Sequence, residues 1–127
     1  MSKKVLVVDD NEGTLEQMTL ILEKNGYVVT TAKNGQEGYD QTLAAPPDVI
    51  LLDIMMPVMD GLTMNKQLKA NPKTAAIPVI IVSARSGMAP MFEMETGAKV
   101  QGYLVKPVRS KVLIQTLEEL FKSNSNE

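Results

Sequence analysis

Residues 5–10 read Val-Leu-Val-Val-Asp-Asp, four apolar residues in a row that end in two carboxylates. Three further runs, Val49–Leu52, Val79–Val82 and Tyr103–Val105, are also continuous, whereas Tyr27–Ala32 is mixed with threonine. Continuous apolar runs rich in valine and isoleucine are typical of strands whose two faces are both covered. The sequence therefore predicts five short strands, four of them covered on both faces.

Longer amphipathic stretches separate these runs. After the first run, apolar residues recur at helical spacing up to a stop signal at Asn25-Gly26, and they are Leu15, Met18, Ile21 and Leu22. A second stripe extends from Val112 to Phe121. Alternating strands and helices predict an α/β fold, a doubly wound parallel sheet with helices on both faces. We expect one domain over residues 1–122 and a polar tail over residues 123–127.

The composition excludes several classes of function. The chain has 127 residues, a formal net charge of −2, no cysteine and no histidine. Disulfide frameworks, cysteine-based zinc sites and every histidine-dependent triad are therefore excluded. The charges form no basic stripe, so we expect no direct binding of nucleic acid. No apolar run reaches the length of a membrane span or signal peptide, and we expect a cytoplasmic domain without membrane contact.

Polar side chains follow four of the five predicted strands. The first strand ends in Asp9-Asp10, the third in Asp53, the fourth in Ser83 and the fifth in Lys106. The carboxyl ends of the strands form the ligand crevice of an open parallel sheet. If the second strand is the outer one, strands one and three are neighbours. The three carboxylates then converge.

Each of these residues also has a purely structural interpretation. Asp9-Asp10 is compatible with a strand end and a helix cap beside Asn11, Ser83 with a cap of the next helix, and Lys106 with a solvated loop. Asp53 is harder to explain this way, because a lone buried carboxylate is costly without a partner. The joint placement at strand ends favours a functional site.

The chemistry of such a site follows from its side chains. Three neighbouring carboxylates repel one another and suit a hard cation, of which Mg²⁺ fits best because it needs few carboxylates and accepts phosphate oxygens. A lysine and a hydroxyl group opposite them are able to hold the oxygens of a phosphoryl group. Without histidine or cysteine, the nucleophile is a carboxylate, and an aspartyl-phosphate is a known covalent intermediate.

Over nearly its whole length, the chain resembles the receiver domains of two-component response regulators. Four segments carry the resemblance together, and they are Val5–Asn11, Asp53–Gly61, Val82–Ala84 and Gly102–Pro107. The resemblance implies a flavodoxin-like (βα)5 fold with strand order 2-1-3-4-5. It also implies a phosphoacceptor protein rather than an enzyme.

The family pattern implies a role for each matching residue. Asp53 would accept a phosphoryl group from a histidine kinase or a phosphotransfer protein. Asp10 and Asp53 would bind Mg²⁺ directly with the backbone carbonyl of Met55, and Asp9 would hold the metal through water. Lys106 would pair with the phosphoryl group.

The resemblance further implies a switch. The Ser83 hydroxyl group would move to the phosphoryl group, and the Tyr103 ring would turn inward in response. The Lys106-Pro107 peptide bond would be cis. The three methionines of the Met88–Met94 stretch are open to two interpretations, a core stripe or an adaptable partner surface. We expect a downstream protein to bind through this stretch, Tyr103 and the start of the last helix.

Three alternatives remain open at this point. The chain is compatible with being the N-terminal receiver fragment of a longer regulator. An aspartate-nucleophile phosphohydrolase would place a second acid two residues after its nucleophile, where this sequence has Met55. A flavodoxin-like cofactor binder would need a phosphate-binding loop of Gly, Ser or Thr after the first strand. Asp9-Asp10 would repel a phosphate there unless a metal intervened.

Overall fold

Strands and helices alternate from the first strand to the fourth as the hydrophobic pattern predicts, while the helix expected before the last strand lies outside the described residues. A computed structural model describes residues 3–53, 61–83 and 101–125. In chain order its elements are β1 (Lys4–Val8), α1 (Glu12–Lys24), β2 (Val28–Ala32), α2 (Gly35–Ala44), β3 (Val49–Leu52), α3 (Gly61–Ala70), β4 (Val79–Ser83), β5 (Gly102–Val105) and α4 (Ser110–Ser125). All neighbouring strands pair in parallel, in the order β2-β1-β3-β4-β5. The predicted doubly wound fold and strand order are confirmed.

Two hydrophobic layers cover the sheet, one on each face. Successive side chains of a strand point to opposite faces, so Leu6 and Val8 of β1 contact one layer while Val5 and Val7 contact the other. The first layer includes Met64 and Leu68 of α3 with Tyr39 of α2. The second layer is built from α1 and α4, and its helix residues are Leu15, Met18, Leu22, Leu113 and Leu117. The central strands are therefore covered on both faces.

Asparagine residues start the first two helices. The side chain of Asn11 accepts a hydrogen bond from the Thr14 amide at 2.9 Å, and Asn34 accepts one from the Glu37 amide at 2.8 Å. Each satisfies a helix N–H that has no partner within its own helix. The Asn34-Gly35 pair thus marks a helix start, and Gly26, with φ of 88°, follows the end of α1.

Two local features differ from the sequence expectations. β5 is only partly buried, and Val105 is 43% exposed, because this strand has the outer position in the sheet and a neighbour on one side only. Val112 is also exposed and lies off the buried stripe of α4. The α4 helix extends to Ser125, and the boundary between domain and polar tail stays a prediction. Among the described helices, none has the length and apolar character that crossing a membrane requires.

Candidate functional site

The sheet continues its hydrogen bonding one residue beyond the strands, and this fixes the backbone of the site. The Asp9 amide donates to the last carbonyl of β2 (3.0 Å), the Asp53 amide to Val8 (2.9 Å) and the Lys106 amide to Ser83 (2.7 Å). All of these residues therefore lie at one edge of the sheet, its carboxyl end. Their positions are set by the strand pairing rather than by loop conformation.

Strand register brings three charged side chains to the same side of this edge. Val8 pairs with Leu52, so Asp9 and Asp53, the next residues, lie side by side. Lys106 follows β5 by the same one-residue step. Carboxylate oxygens of Asp9, Asp10 and Asp53 lie within 4.8 Å of one another. The convergence expected from the sequence is thus present in the fold.

Two of these carboxylates are buried, and one lysine lies against both. Asp9 is 2% exposed and Asp53 5%, whereas Asp10 is exposed. The Lys106 Nζ atom lies 2.6 Å from Asp9 Oδ2 and 3.5 Å from Asp53 Oδ2. A buried carboxylate without such a partner would be strongly unfavourable. Lys106 therefore compensates both negative charges and is not a solvated loop residue.

The charge of Lys106 is stabilised in return. Burial by itself lowers the pKa of this ammonium group, because it disfavours the charged form. The hydrogen bond to Asp9 and the negative charges of Asp53 and Asp9 outweigh burial, so the pKa of Lys106 is raised above its usual value of 10.5. The group remains a cation at neutral pH.

The second oxygen of Asp9 is held by the start of α1. Asp9 Oδ1 accepts a hydrogen bond from the Asn11 amide at 2.9 Å, while Asn11 itself caps the helix. The capping interpretation therefore applies to Asn11, and the Asp10 carboxylate belongs to the acidic cluster. Asn11 is a site-positioning residue, and its signals in the sequence are its place before an amphipathic stretch and within the Val5–Asn11 segment of the resemblance.

The donor set suits a hard divalent cation. Three carboxylates offer oxygen ligands at one point, and the chain contains no histidine or cysteine that would favour a softer metal. Exposed Asp10 opens the cluster to solvent, which allows a cation to keep part of its water shell. The residues present therefore fit Mg²⁺.

The remaining predicted site residues lie on β4 and β5 or outside the described residues. Ser83 is fully buried at the end of β4 and pairs with Val105, while Tyr103 is partly buried and packs on the layer of α2 and α3. The Lys106-Pro107 peptide bond is cis. Met55 and the Met88–Met94 stretch lie outside the described residues, so their roles stay predictions.

A doubly wound sheet with a lysine-bridged acidic cluster at its carboxyl edge defines a class of phosphate-handling α/β domains. The family model described as "Response regulator receiver domain" matches residues 5–118. The chain therefore belongs to the receiver domains of response regulators. Members of this family act in general as phosphoacceptors in phosphorelay signalling and bind Mg²⁺ at an acidic pocket.

Curated relatives and solved structures agree with this assignment. The chain is 38% identical over 120 residues to Protein PilH of Pseudomonas aeruginosa, and the match covers 90% of the chain and 93% of PilH. It is 36% identical to Response regulator PleD of Caulobacter vibrioides, and this match covers 94% of the chain and 26% of PleD. The chain therefore corresponds to a small part of that longer protein.

Among solved structures, the chemotaxis protein CheY4 of Vibrio cholerae superposes with a TM-score of 0.84 at 31% identity, over 94% of the chain and 98% of CheY4. A CheY-like receiver domain protein from Methanospirillum hungatei gives a TM-score of 0.86 at 26% identity, over 99% of the chain and 98% of that protein. The receiver fold accounts for nearly all of the chain.

Proposed function

We propose that this protein is a phosphoacceptor receiver in which Asp53 takes a phosphoryl group from a histidine kinase or a phosphotransfer protein. One observation carries the proposal. The Lys106 ammonium group lies against Asp9 and Asp53, while oxygens of Asp10 complete a cluster within 4.8 Å. This arrangement combines a nucleophile with positive charge and a cation site, as phosphoryl transfer requires.

The transfer itself is a displacement at phosphorus. A carboxylate oxygen of Asp53 forms the new bond to phosphorus while the bond from phosphorus to the imidazole nitrogen of the donor breaks, and that nitrogen keeps the electron pair. Lys106, already 3.5 Å from the Asp53 carboxylate, would shift its contact to the phosphoryl oxygens. Asp9 holds the lysine at 2.6 Å and so aims its charge at the acceptor.

Asp9, Asp10 and Asp53 would hold Mg²⁺, together with the predicted carbonyl of Met55. When bound, the cation neutralises the charge of the carboxylates and of the phosphoryl oxygens. Without such neutralisation, an incoming phosphoryl group would meet three carboxylates and a single lysine. The function therefore depends on Mg²⁺.

The signal would pass through β4 and β5. Ser83 ends β4 next to the site and pairs with Val105 of β5. Tyr103 lies on β5 two residues before Val105. We propose that the Ser83 hydroxyl group follows the phosphoryl group and that Tyr103 then changes its packing. A cytoplasmic partner protein would bind the altered surface, formed by Tyr103, Met88–Met94 and the start of α4. Phosphohydrolase activity is less well supported, because Met55 stands where the general acid would be.

The decisive experiment is phosphorylation with a small acyl phosphate and Mg²⁺, read by intact mass. The protein gains one phosphoryl group, Asp53→Asn gains none, and Asp40→Asn, a matched change at an exposed position of α2, is labelled like the wild type. Ser83→Ala is still labelled but binds its partner more weakly. Undiminished labelling of Asp53→Asn would refute the assignment of the nucleophile.

A further inference from the structure

The outer strand β2 presents backbone groups that the sheet does not use. On its inner side, the Val28 amide donates to Lys3 at 2.9 Å, and the Ala32 carbonyl accepts a hydrogen bond of 3.0 Å from the residue after β1. Alternate residues of a parallel strand direct their backbone groups to opposite sides. Val29 and Thr31 therefore direct theirs away from the sheet.

Little in the described structure covers this edge. Of the four outward groups, the Thr31 carbonyl accepts from Gln41 Nε2 at 2.9 Å, and it retains a second lone pair. The Val29 amide and carbonyl and the Thr31 amide have no partner among residues 3–53, 61–83 and 101–125. The strand reads Val-Val-Thr-Thr-Ala and lacks the charged residues and prolines that usually protect an edge. This edge is therefore able to accept another strand.

A groove of about 670 Å³ runs beside the edge on the α1 side. Its apolar lining comes from Leu15, Leu20 and Val29, and Leu20 is 66% exposed. A strand added to β2 would point every second side chain toward α1, because strand side chains alternate between faces. The groove would receive these side chains, as in other cases of strand addition, where pockets select alternate residues.

The helices that flank the edge carry mainly negative charge. Glu12 and Glu16 line the groove, and Glu23 lies on the same stripe of α1 at helical spacing. On the other face of the sheet, Glu37 is in the first turn of α2. The hydrogen bond to Glu12 is the main reason why the pKa of Lys33 is raised, and the negative charge of Glu37 adds to it. Lys33 forms an exposed 3.0 Å ion pair with Glu12. Glu12 thus pairs with Lys33, Glu37 adds a further negative charge near it, and Glu16 and Glu23 continue the acidic stripe along α1.

This charge decides between two occupants, a second copy of the chain and a different protein. The α1 helix packs on both β1 and β2, and neighbouring strands are about 4.8 Å apart. Each α1 helix lies over its own β1 and β2, about half a strand spacing inside the outer strand. Pairing β2 with its copy would therefore place the axes of the two α1 helices two strand spacings, or about 9.6 Å, apart. Helices pack against each other at this distance. Their acidic stripes would then repel each other. A second copy is disfavoured.

We propose that the β2 edge and the α1 groove bind an extended, basic segment of another protein by strand addition. Its main chain bonds to Val29 and Thr31, its apolar side chains enter the groove, and its lysine or arginine side chains face the glutamates. The site lies on the edge opposite β5 and does not depend on phosphorylation of Asp53.

A labelled seven-residue peptide of alternating lysine and valine tests the proposal on the full chain by fluorescence anisotropy. We expect it to bind and to shift the Val29 and Thr31 amide signals in a nitrogen–proton spectrum. A glutamate–valine peptide should bind at least tenfold more weakly, as should a lysine–valine peptide that is N-methylated at alternate residues. Absence of binding, or equal binding of all three peptides, overturns the proposal.

Matched variants separate local from overall charge. Glu16→Lys should weaken binding roughly fivefold, the scale of one or two exposed ion pairs. Glu119→Lys, at an exposed position of α4, makes the same change in net charge and should leave binding within twofold. Val29→Pro removes an outward N–H without touching the bonds to β1, and Leu20→Ser removes an apolar side chain from the groove lining. Both should weaken binding; because Leu20 also borders Val108 and Arg109, Val108→Ser serves as the control on that side and should leave binding within twofold. Equal effects of Glu16→Lys and Glu119→Lys contradict the proposal.

Discussion

The middles and the carboxyl ends of the same strands differ in the residues that they bury. Within β1, β3 and β4, the residues from Val5–Val8, Val49–Leu52 and Val79–Val82 are apolar and at most 2% exposed. One step further along the chain, the fold buries Asp9, Asp53 and the polar side chain of Ser83. The buried apolar residues of each strand are thus followed directly by a buried polar residue, whose burial is unfavourable without a partner.

The difference shows how stability and function are divided along one element. Apolar burial stabilises at about 25 cal/mol per Å² and requires only a matching shape. A buried carboxylate costs several kcal/mol unless a charged partner compensates it, and here Lys106 serves two of them. The pairing of the strand middles thus holds groups together that would otherwise repel each other.

Truncating a strand middle should cause the largest effect. Leu52 is fully buried in the layer of α2 and α3, so Leu52→Ala leaves a cavity and should lower the free energy of unfolding by about 3 kcal/mol, within a usual range of about 2–5. Leu20→Ala, at a 66% exposed position, is the control and should change it by less than about 0.5 kcal/mol. Urea denaturation measures both. Equal losses would mean that the two regions do not differ in this way.

Adding Mg²⁺ should raise the free energy of unfolding by binding the carboxylates at the carboxyl ends of the strands. A ligand that binds only the native state raises the free energy of unfolding by about 2.7 kcal/mol at a hundredfold excess over its Kd. Asp10→Ala should abolish this gain and raise the metal-free stability by about 1 kcal/mol, the repulsion of two close unit charges in water. Asp48→Ala, outside the cluster, should keep the full response. An unchanged melting curve on addition of Mg²⁺ would show that the three carboxylates do not share a site.

Asn65 on α3 is a polar side chain buried beside the apolar residues that cover the sheet, and replacing it should stabilise the protein. It is fully buried, and neither its Nδ2 nor its Oδ1 atom has a hydrogen-bond partner within residues 3–53, 61–83 and 101–125, the part of the chain that the structure describes. Such groups cost about 1–3 kcal/mol, so Asn65→Leu should raise the free energy of unfolding by about 1 kcal/mol. Asn71→Leu removes a side chain that donates to Tyr39 Oη at 3.2 Å, and it should not stabilise. A destabilised Asn65→Leu protein would reveal a partner for this side chain.

Two half-buried lysines give the smallest and most direct test. Lys69 donates to the carbonyls of Ala75 and Ile77, both at 3.1 Å, and burial lowers its pKa, whereas the carboxylates around Lys106 raise the pKa of that group. Carbon NMR titration of the two side chains should place Lys69 below 10.5 and Lys106 above it.

The two lysines should change the free energy of unfolding in opposite directions as the pH rises. The contribution of Lys106 is fully present below its unfolded value near 10.5 and is lost as the pH rises through the folded pKa. The folded pKa of Lys69 is lower than the unfolded one, so its charge is unfavourable at neutral pH, and stability rises as the pH passes from the folded pKa towards 10.5. Comparing Lys69→Met and Lys106→Met with the wild type between about pH 9 and about pH 11 measures both trends. Parallel trends would contradict the assigned environments.

Local pattern in the sequence predicts much of this division, because continuous apolar runs and the charged residues after them are visible without a structure. Strand order came from the family resemblance, because the threonines set Tyr27–Ala32 apart from the four continuous runs but do not specify its neighbours in the sheet. The partial exposure of β5 was missed because a run such as Tyr103–Val105 looks the same in a central strand and at an edge. Asn65 gave no signal, since a buried asparagine and an exposed one look alike in an amphipathic stretch.

The contact of Lys106 with Asp9 was also not foreseen. The resemblance assigned this lysine to the phosphoryl group, whereas in the structure its Nζ atom lies nearer to Asp9 (2.6 Å) than to Asp53 (3.5 Å). Side-chain partners at this scale depend on rotamers and strand register, which a linear pattern does not encode.

The hydrogen bonds that continue beyond the strands have a consequence for motion. The amides of Asp9, Asp53 and Lys106 donate to neighbouring strands at 2.7–3.0 Å, so deuterium from solvent reaches them only when the sheet itself opens. Local fraying of loops leaves the backbone of the site in place. We therefore expect the amides of Asp9, Asp53 and Lys106 to exchange on the timescale of the sheet rather than of its loops.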